Sequence, residues 1–145
     1  MNYSTWKKYE SPERWASYYT QVNELLALEP GSCLEIGVGN GIVGHAIKRQ
    51  GIELKTLDIE ASLNPDLVGS VESIPLPDDS VDVVLCAEVL EHLSYDKFEH
   101  CLSEIRRVAK AGAVISLPHW GYTIRKIIDF PGLPKFRGVW KLPFS

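Results

Sequence analysis

The chain has 145 residues, of which 45% are hydrophobic, and a formal net charge of −4. This length is typical of one domain with its own hydrophobic core, and it leaves little room for a separate substrate module. The sequence contains no run of about 18 apolar residues, and no apolar run follows the N-terminal charges, so neither a membrane span nor a signal peptide is predicted. We expect a single domain, residues 1–145, in the cytoplasm.

The three cysteines are Cys33, Cys86 and Cys101, which are widely spaced and lie in apolar surroundings. Their odd number and their spacing argue against a disulfide framework and against a CxxC metal site. We therefore expect them to be small buried residues in a reducing compartment.

The first predicted element is a helix that begins at Ser11 and Pro12 and ends before the segment Glu29-Pro30-Gly31. Apolar residues recur along it at helical spacing, and they are Trp15, Tyr18, Tyr19, Val22, Leu25 and Leu26. This face is predicted to pack the helix on a sheet. Residues 1–30 then form an N-terminal helical cap.

Strand-like and helix-like patterns alternate over the rest of the chain. The segments predicted as strands are SCLEIG, ELKTLDI, DLVGSV, DVVLCA and GAVISLP, and those predicted as helices are GIVGHAIKRQ and residues 98–108. Such alternation predicts a parallel sheet with right-handed crossovers and helices on both faces. The predicted fold class is α/β, Rossmann-like and doubly wound, with a mainly parallel sheet.

Three glycines at alternate positions, Gly37, Gly39 and Gly41, follow the first strand in LEIGVGNG. A loop without Cβ atoms lets the backbone approach a ligand, and the helix that follows offers unpaired N–H groups. Asp58, at the end of the second strand, comes 21 residues after Gly37. Folds of this class bind a ribose with a carboxylate at about that spacing, so the order of elements predicts an adenosine-containing cofactor.

Two registers of the glycine pattern compete. The segment GNGIVG satisfies the dinucleotide pattern G-x-G-x-x-G, whereas the segment from Glu35 reads E-x-G-x-G-x-G. A dinucleotide brings a pyrophosphate, but S-adenosylmethionine brings an ammonium and a sulfonium that a nearby carboxylate suits better. Glu35 favours S-adenosylmethionine, and an NAD-type binding domain is the alternative.

The segments LEIGVGNG, TLDIE and SVESIPLPDDSVDVVLCAEVLEHL together resemble the class I S-adenosylmethionine-dependent methyltransferases, in particular the type 11-like group with its small-molecule and ubiquinone-pathway enzymes. The resemblance covers about residues 32–118. It implies S-adenosylmethionine as cofactor and methyl transfer to an acceptor, which we expect to be a small or lipid-like molecule. A cofactor-binding fragment without activity alone is the alternative for this chain.

The same resemblance implies a set of cofactor-binding residues. The glycine loop and Glu35 would lie under the methionine part, and Asp58 would hold the ribose hydroxyls. The whole set comprises Glu35, Gly37, Gly39, Gly41, Asp58, Ile59, Ser70, Val71, Glu72, Cys86, Ala87 and Glu88. The family often has Asp at the position of Ser70, so the adenine contact there is expected to be weaker or to come from the backbone.

Two histidines, His92 and His119, are candidate general bases, because a neutral imidazole accepts protons near neutral pH. Glu88, Glu91 and His92, together with His119, also resemble the metal site of small-RNA 2′-O-methyltransferases. Similar strings occur in methyltransferases that use no metal, so we predict no metal site. Metal-assisted RNA 2′-O-methylation is a minor alternative.

The last 27 residues, 119–145, form a basic aromatic tail with five Lys or Arg residues and one acid. We expect it to pack on the acidic remainder of the chain, although nucleic acid or an anionic membrane surface would also attract it. Its three prolines, Pro131, Pro134 and Pro143, predict that no regular hairpin forms and that the last strands of the family fold are lacking.

At the other end of the chain, Tyr3, Trp6 and Tyr9 precede the first helix and have no apolar face to join. In the family that the sequence resembles, this region often closes over the cofactor. We predict that these residues form a lid that becomes ordered when cofactor binds.

Overall fold

The computed structural model describes residues 11–117 and the backbone of two further strands, 124–129 and 138–139. Its helices are α1 (Pro12–Leu26), α2 (Ile42–Lys48) and α3 (Phe98–Val108). Its strands are β1 (Ser32–Ile36), β2 (Glu53–Asp58), β3 (Leu67–Val68), β4 (Val81–Ala87), β5 (Ala109–Leu117), β6 (Ile124–Asp129) and β7 (Gly138–Val139). No helix in this described part of the chain is long and apolar enough to cross a membrane.

The strands form one sheet in the order β3-β2-β1-β4-β5-β6-β7. The first five in this order are parallel, whereas β6 and β7 are antiparallel to their neighbours. The predicted doubly wound, mainly parallel sheet is confirmed. The strand order reverses between β1 and β4, and in open α/β sheets ligands bind at such a reversal, beyond the carboxyl ends of the strands.

The helices cover both faces of the sheet, and strand alternation decides which residues meet which helix. On one face α1 and α2 pack against a cluster that includes Cys33, Val83 and Leu85. On the other face α3 packs against a cluster that includes Leu34 and Cys86. Each strand in the centre therefore has apolar residues on both sides, as a buried parallel sheet requires.

The three cysteines are free and buried, which agrees with the prediction from their spacing. Cys33 and Cys86 lie on opposite faces of the sheet, and Cys101 lies on α3. They serve the core as small apolar residues.

Helix α1 packs on the sheet by a narrower apolar face than the sequence predicts. Leu25 is fully buried, and the residues packed around it include Tyr18 and Val22. Tyr19, in contrast, is 73% exposed, and Trp15 is 44% exposed. The prediction that both residues pack the helix on the sheet is wrong, because a polar residue of α1, Gln21, takes part of the buried face instead.

Two strands follow β5, so the prediction that prolines prevent a hairpin is also wrong. Residues 112–117 of β5 pair with 124–129 of β6 in an antiparallel register. Pro131 and Pro134 fall between β6 and β7, and Pro143 follows β7, so none of them interrupts a strand. Six residues of the sequence separate β5 from β6.

A polar cluster centred on Arg107 of α3 fixes the long loop between β3 and β4. The guanidinium donates to the carbonyls of Ile74 and Leu76 at 2.9 and 2.8 Å, and it pairs with Asp78. It also pairs with Glu104, whose Oε2 accepts the Ile74 N–H at 3.0 Å. The hydrogen bond from Arg107 is the main reason that the pKa of Glu104 falls to about 2.

We predict that Glu104→Gln lowers the free energy of unfolding above pH 5 by about 1.5 to 3 kcal/mol, the value of a hydrogen bond to a charged group. Because the pKa of Glu104 is depressed to about 2 from 4.5, its contribution is present above the higher value and is lost as pH falls toward the lower one. Urea unfolding from pH 2 to pH 7 measures this difference. Glu99→Gln, at an exposed position on the same helix, is the control, and equal curves for both variants would contradict the prediction.

Candidate functional site

The glycine loop lies at the carboxyl end of β1, beside the reversal of strand order. Gly37, Gly39 and Gly41 all have positive φ values, +84°, +54° and +76°. At Gly37 a Cβ atom would overlap the Val89 side chain, which follows β4, so only glycine fits there. At Gly39 a Cβ atom would meet nothing within 4 Å. The loop is thus packed on its inner side and open on its outer side.

Glu35 lies beneath this loop and is 4% exposed. Strand alternation turns it toward α2, where Gly44 lies so close that a Cβ atom would overlap the carboxylate. Burial raises the pKa of Glu35 to about 7, although Lys48 and the Gly44 amide act to lower it. Its Oε2 atom is buried and has no hydrogen-bond partner among the described residues. A buried carboxylate oxygen without a partner is costly, and it marks a place where a donor from a ligand would be stabilising.

Asp58 ends β2 on the other side of the loop. Its Oδ2 accepts the Val38 N–H at 2.8 Å, and its Oδ1 accepts the Glu60 N–H at 2.9 Å. The carboxylate therefore fixes the glycine loop, and each oxygen retains a second lone pair for another donor. The next residue, Ile59, is 76% exposed and offers an apolar surface beside it.

The end of β4 supplies the opposite wall. Cys86 is fully buried on the α3 side, so a ligand could reach only its backbone. Ala87 is followed by Glu88, whose φ of +55° is rare for a residue other than glycine. The Glu88 N–H donates to the Ser116 carbonyl at 2.9 Å, which fixes this backbone. Uncommon backbone geometry of this kind concentrates at functional sites.

A cavity of about 650 Å³ lies between these walls. It is open to solvent and is bordered by the glycine loop, the residues after β4 and one face of α1. Its lining consists of Arg14, Tyr18, Gln21, Glu35, Ile36, Gly37, Val38, Gly39, Asn40, Val43, Leu85, Ala87, Glu88, Val89, Glu91 and His92. The volume is in the range of small-molecule sites.

Some of the predicted site residues line the cavity, and others lie outside it. It contains Glu35, Gly37, Gly39, Ala87, Glu88 and His92 of the predicted set. Gly41 caps the start of α2, while Asp58 and Ile59 lie at the end of β2, outside the lining. His119 lies outside the described residues, as do the predicted lid residues Tyr3, Trp6 and Tyr9.

The segment predicted to contact the adenine edge follows β3 and does not line the cavity. The Ser70 hydroxyl accepts the Glu72 N–H at 3.1 Å, and Val71 is buried in the core. The Glu72 carboxylate pairs with Lys97 at 2.8 Å, and its carbonyl lies 2.8 Å from the His100 ring. These contacts fix the segment from the α3 side.

The His92 side chain is accessible from solvent, and its contact with Glu91 is long. Its side chain is 78% exposed, and its ring lies 4.0 Å from the Glu91 carboxylate. Burial raises the pKa of Glu91, which also lines the cavity. Within residues 11–117 no three His, Cys, Asp or Glu side chains form a metal-binding group.

Sequence reasoning missed the face of α1 that lines the cavity. Arg14, Tyr18 and Gln21 face it, and Arg14 lies 3.7 Å from the Glu88 carboxylate. Asn40 of the glycine loop was missed as well, and it donates to the Tyr18 hydroxyl at 2.9 Å. The sequence does contain a signal for this polar face, because residues 14, 17 and 21 recur at helical spacing as regularly as the apolar residues do.

Comparison with known proteins agrees with this geometry. Two solved S-adenosylmethionine-dependent methyltransferases superpose on the chain. The protein from Aquifex aeolicus has a TM-score of 0.56 and 23% identity, with 81% of this chain and 72% of that one covered. The protein from Thermotoga maritima, named as a possible histamine N-methyltransferase, has a TM-score of 0.53 and 26% identity, with 72% and 55% covered.

A mouse tRNA N(3)-cytidine methyltransferase, METTL2, is 36% identical over 56 residues, which are 39% of this chain and 14% of the mouse protein. This chain therefore spans a small part of its curated relative and about half of the Thermotoga structure. The family described as "Methyltransferase domain" matches residues 34–117, which is more than half of the chain. The protein belongs to the methyltransferase domain family.

Proposed function

We propose that this chain binds S-adenosylmethionine in the cavity at the ends of β1 and β4 and transfers its methyl group to a small or lipid-like acceptor. The observation that carries the proposal is the open glycine loop above a buried carboxylate, one oxygen of which has no partner among the described residues, at the reversal of strand order. The open outer side of Gly39 leaves room for a ligand, and the Glu35 carboxylate offers an acceptor for a cationic donor.

The charges of the lining favour this cofactor over a dinucleotide. Glu35, Glu88 and Glu91 contribute three carboxylates, and Arg14 is the one Lys or Arg among the described lining residues. A pyrophosphate would face repulsion there, whereas an ammonium and a sulfonium would be attracted. The NAD-type alternative is therefore disfavoured.

We assign roles to the predicted residues accordingly. The glycine loop with Glu35 holds the methionine part, Asp58 and Ile59 hold the ribose and adenine, and Glu88 faces the acceptor side. The segment Ser70 to Glu72 borders the adenine edge, and Cys86 and Ala87 contribute backbone. Gly41 contributes the start of α2, where it is the N-cap residue with a φ of +76°.

The bound cofactor would supply a methyl group already activated on a sulfonium. The chain's task is then to hold the acceptor atom in line and to exclude water, and orientation of this kind reaches effective molarities of about 10⁵ M or more. An acceptor oxygen, nitrogen or acidic carbon also loses a proton. His92, at the mouth of the cavity, is the described candidate to take it, and His119 is a second candidate.

The first candidate acceptor is a small molecule, since the Thermotoga neighbour is named as a possible histamine N-methyltransferase. A nucleic acid is the second candidate, because the mouse relative is named as a tRNA methyltransferase and because the tail from residue 119 is basic. The metal-assisted RNA reaction stays the minor alternative, because the residues that suggest it include His119, which lies outside the described residues.

Titration calorimetry with S-adenosylmethionine and with NAD tests the cofactor, and transfer of a labelled methyl group to small-molecule, lipid and tRNA fractions tests the acceptor. We expect binding of the first ligand only, with label in the small-molecule or lipid fraction. Binding of NAD alone would overturn the proposal. Tight cofactor binding without turnover would identify a cofactor-binding unit that is inactive alone.

We predict that Asp58→Ala weakens S-adenosylmethionine binding by about 1.5 to 3 kcal/mol, the value of hydrogen bonds to a charged group. The loss combines the ribose contact with the support that Asp58 gives to Val38. Calorimetry measures the change, and Glu60→Gln, at an exposed neighbouring position, is the control. Unchanged affinity in Asp58→Ala would remove this residue from the site.

We predict that Gly39→Val nearly abolishes cofactor binding while the circular dichroism spectrum stays native. The branched side chain would occupy ligand space, and the positive φ adds strain. Gly51→Val is a matched control, because Gly51 also has a positive φ, +80°, with nothing within 4 Å of its Cβ position. Gly51 lies past the far end of α2, so its variant shares the strain and should keep the affinity. Equal affinities for the two variants would mean that the ligand does not lie over Gly39.

A further inference from the structure

Helix α1 presents a polar stripe to the cavity. Arg14, Ser17 and Gln21 follow one another at helical spacing, and Arg14 and Gln21 line the cavity. Gln21 is buried, and its side-chain amide donates to the Ser17 hydroxyl at 3.1 Å. A buried glutamine on a core-facing side is unusual, and this one fixes the stripe in place.

The stripe meets Glu88 across the cavity. An Arg14 guanidinium nitrogen lies 3.7 Å from one Glu88 carboxylate oxygen, and the Ser17 hydroxyl donates to the other at 3.5 Å. Both distances are long, and the side chains of Arg14 and Glu88 are 40% and 36% exposed. An exposed pair with such geometry is weak, so either partner can be exchanged for a better one.

The cofactor in the proposed function carries a carboxylate as well as its two cationic groups. Glu35, Glu88 and Glu91 cannot receive that carboxylate. Arg14 can, because a guanidinium binds carboxylates through two parallel hydrogen bonds and is the one Lys or Arg among the described lining residues.

We propose that Arg14 binds the methionine carboxylate of S-adenosylmethionine and that it leaves Glu88 to do so. The inference rests on the proposed function and adds a coupling within the site. While the cavity is empty, Arg14 neutralises Glu88. When cofactor binds, Glu88 loses this partner and turns its charge to the acceptor side, where it attracts an acceptor with a cationic or N–H group. Cofactor binding thus prepares the acceptor site.

The test compares S-adenosylmethionine with its decarboxylated form, which lacks only the carboxylate and keeps the ammonium. Calorimetry on the full chain measures both affinities for wild type, Arg14→Met and Arg14→Lys. We expect wild type to prefer the intact cofactor about ten- to a hundredfold, the range for a charge-assisted bidentate pair. Arg14→Met should bind both ligands equally, Arg14→Lys should keep part of the preference, and Arg49→Met, at an exposed position on α2's far end, should keep all of it.

Glu88→Gln tests the exchange itself. Removing the competing carboxylate should strengthen binding of the intact cofactor about two- to fivefold, which corresponds to a weak exposed pair. In the Arg14→Met background no pair remains to be broken, so the same substitution should not strengthen binding, and loss of a carboxylate that attracts the cationic groups of the cofactor should weaken it. An equal effect of Glu88→Gln in both backgrounds, or weaker binding of the intact cofactor in the wild-type background, would overturn the exchange.

The outcomes separate this inference from the proposed function. If wild type binds neither ligand, the assignment of the cofactor fails and this inference fails with it. If wild type binds both ligands equally, or if Arg14→Met keeps the preference, Arg14 does not bind the carboxylate, although the cofactor assignment stands.

Discussion

The close approach of α2 to β1 is the contact on which the rest of the site depends. Gly44 lies against the Glu35 carboxylate, and any side chain at that position would push the helix away from the strand. The position of α2 fixes its first turn, and the first turn fixes the glycine loop that precedes it. One absent side chain therefore allows a carboxylate to be buried and an open loop to lie above it.

This contact also reconciles the two registers of the glycine pattern. Gly44 completes the dinucleotide-like reading G-x-G-x-x-G, and Glu35 begins the other reading. In the structure the two residues touch, so the last glycine serves helix packing on the acid, and its presence says nothing about a pyrophosphate. The charge of the lining separates the two cofactor classes better than the spacing of the glycines does.

The sequence predicted the fold well where one periodicity dominated. The strands and helices could be predicted because buried elements show a regular spacing of apolar residues. The reversal of strand order follows because right-handed crossovers can place helices on both faces of a parallel sheet only if the order reverses. The polar stripe of α1 was missed because the partner of Arg14 and Ser17 is Glu88, more than 70 residues away along the chain. The hairpin after β5 was missed because the positions of the prolines relative to the strands depend on register, which composition does not reveal.

The close packing of Val89 against Gly37 has a consequence for the order in which the molecule assembles. The glycine loop is shaped on its inner side by a residue that follows β4, and β4 itself is anchored to the start of β1 through Asp82, which accepts from the N–H groups of Gly31 and Ser32 at 3.0 and 2.9 Å. These contacts span about 50 residues of chain, so loop-closure entropy opposes them until the sheet has formed. A nascent chain in which only β1, α2 and β2 have formed contains the three glycines. It still lacks Val89, which packs against the inner side of the glycine loop. The ligand site therefore forms late in folding, and it cannot bind its ligand before β4 has joined the sheet.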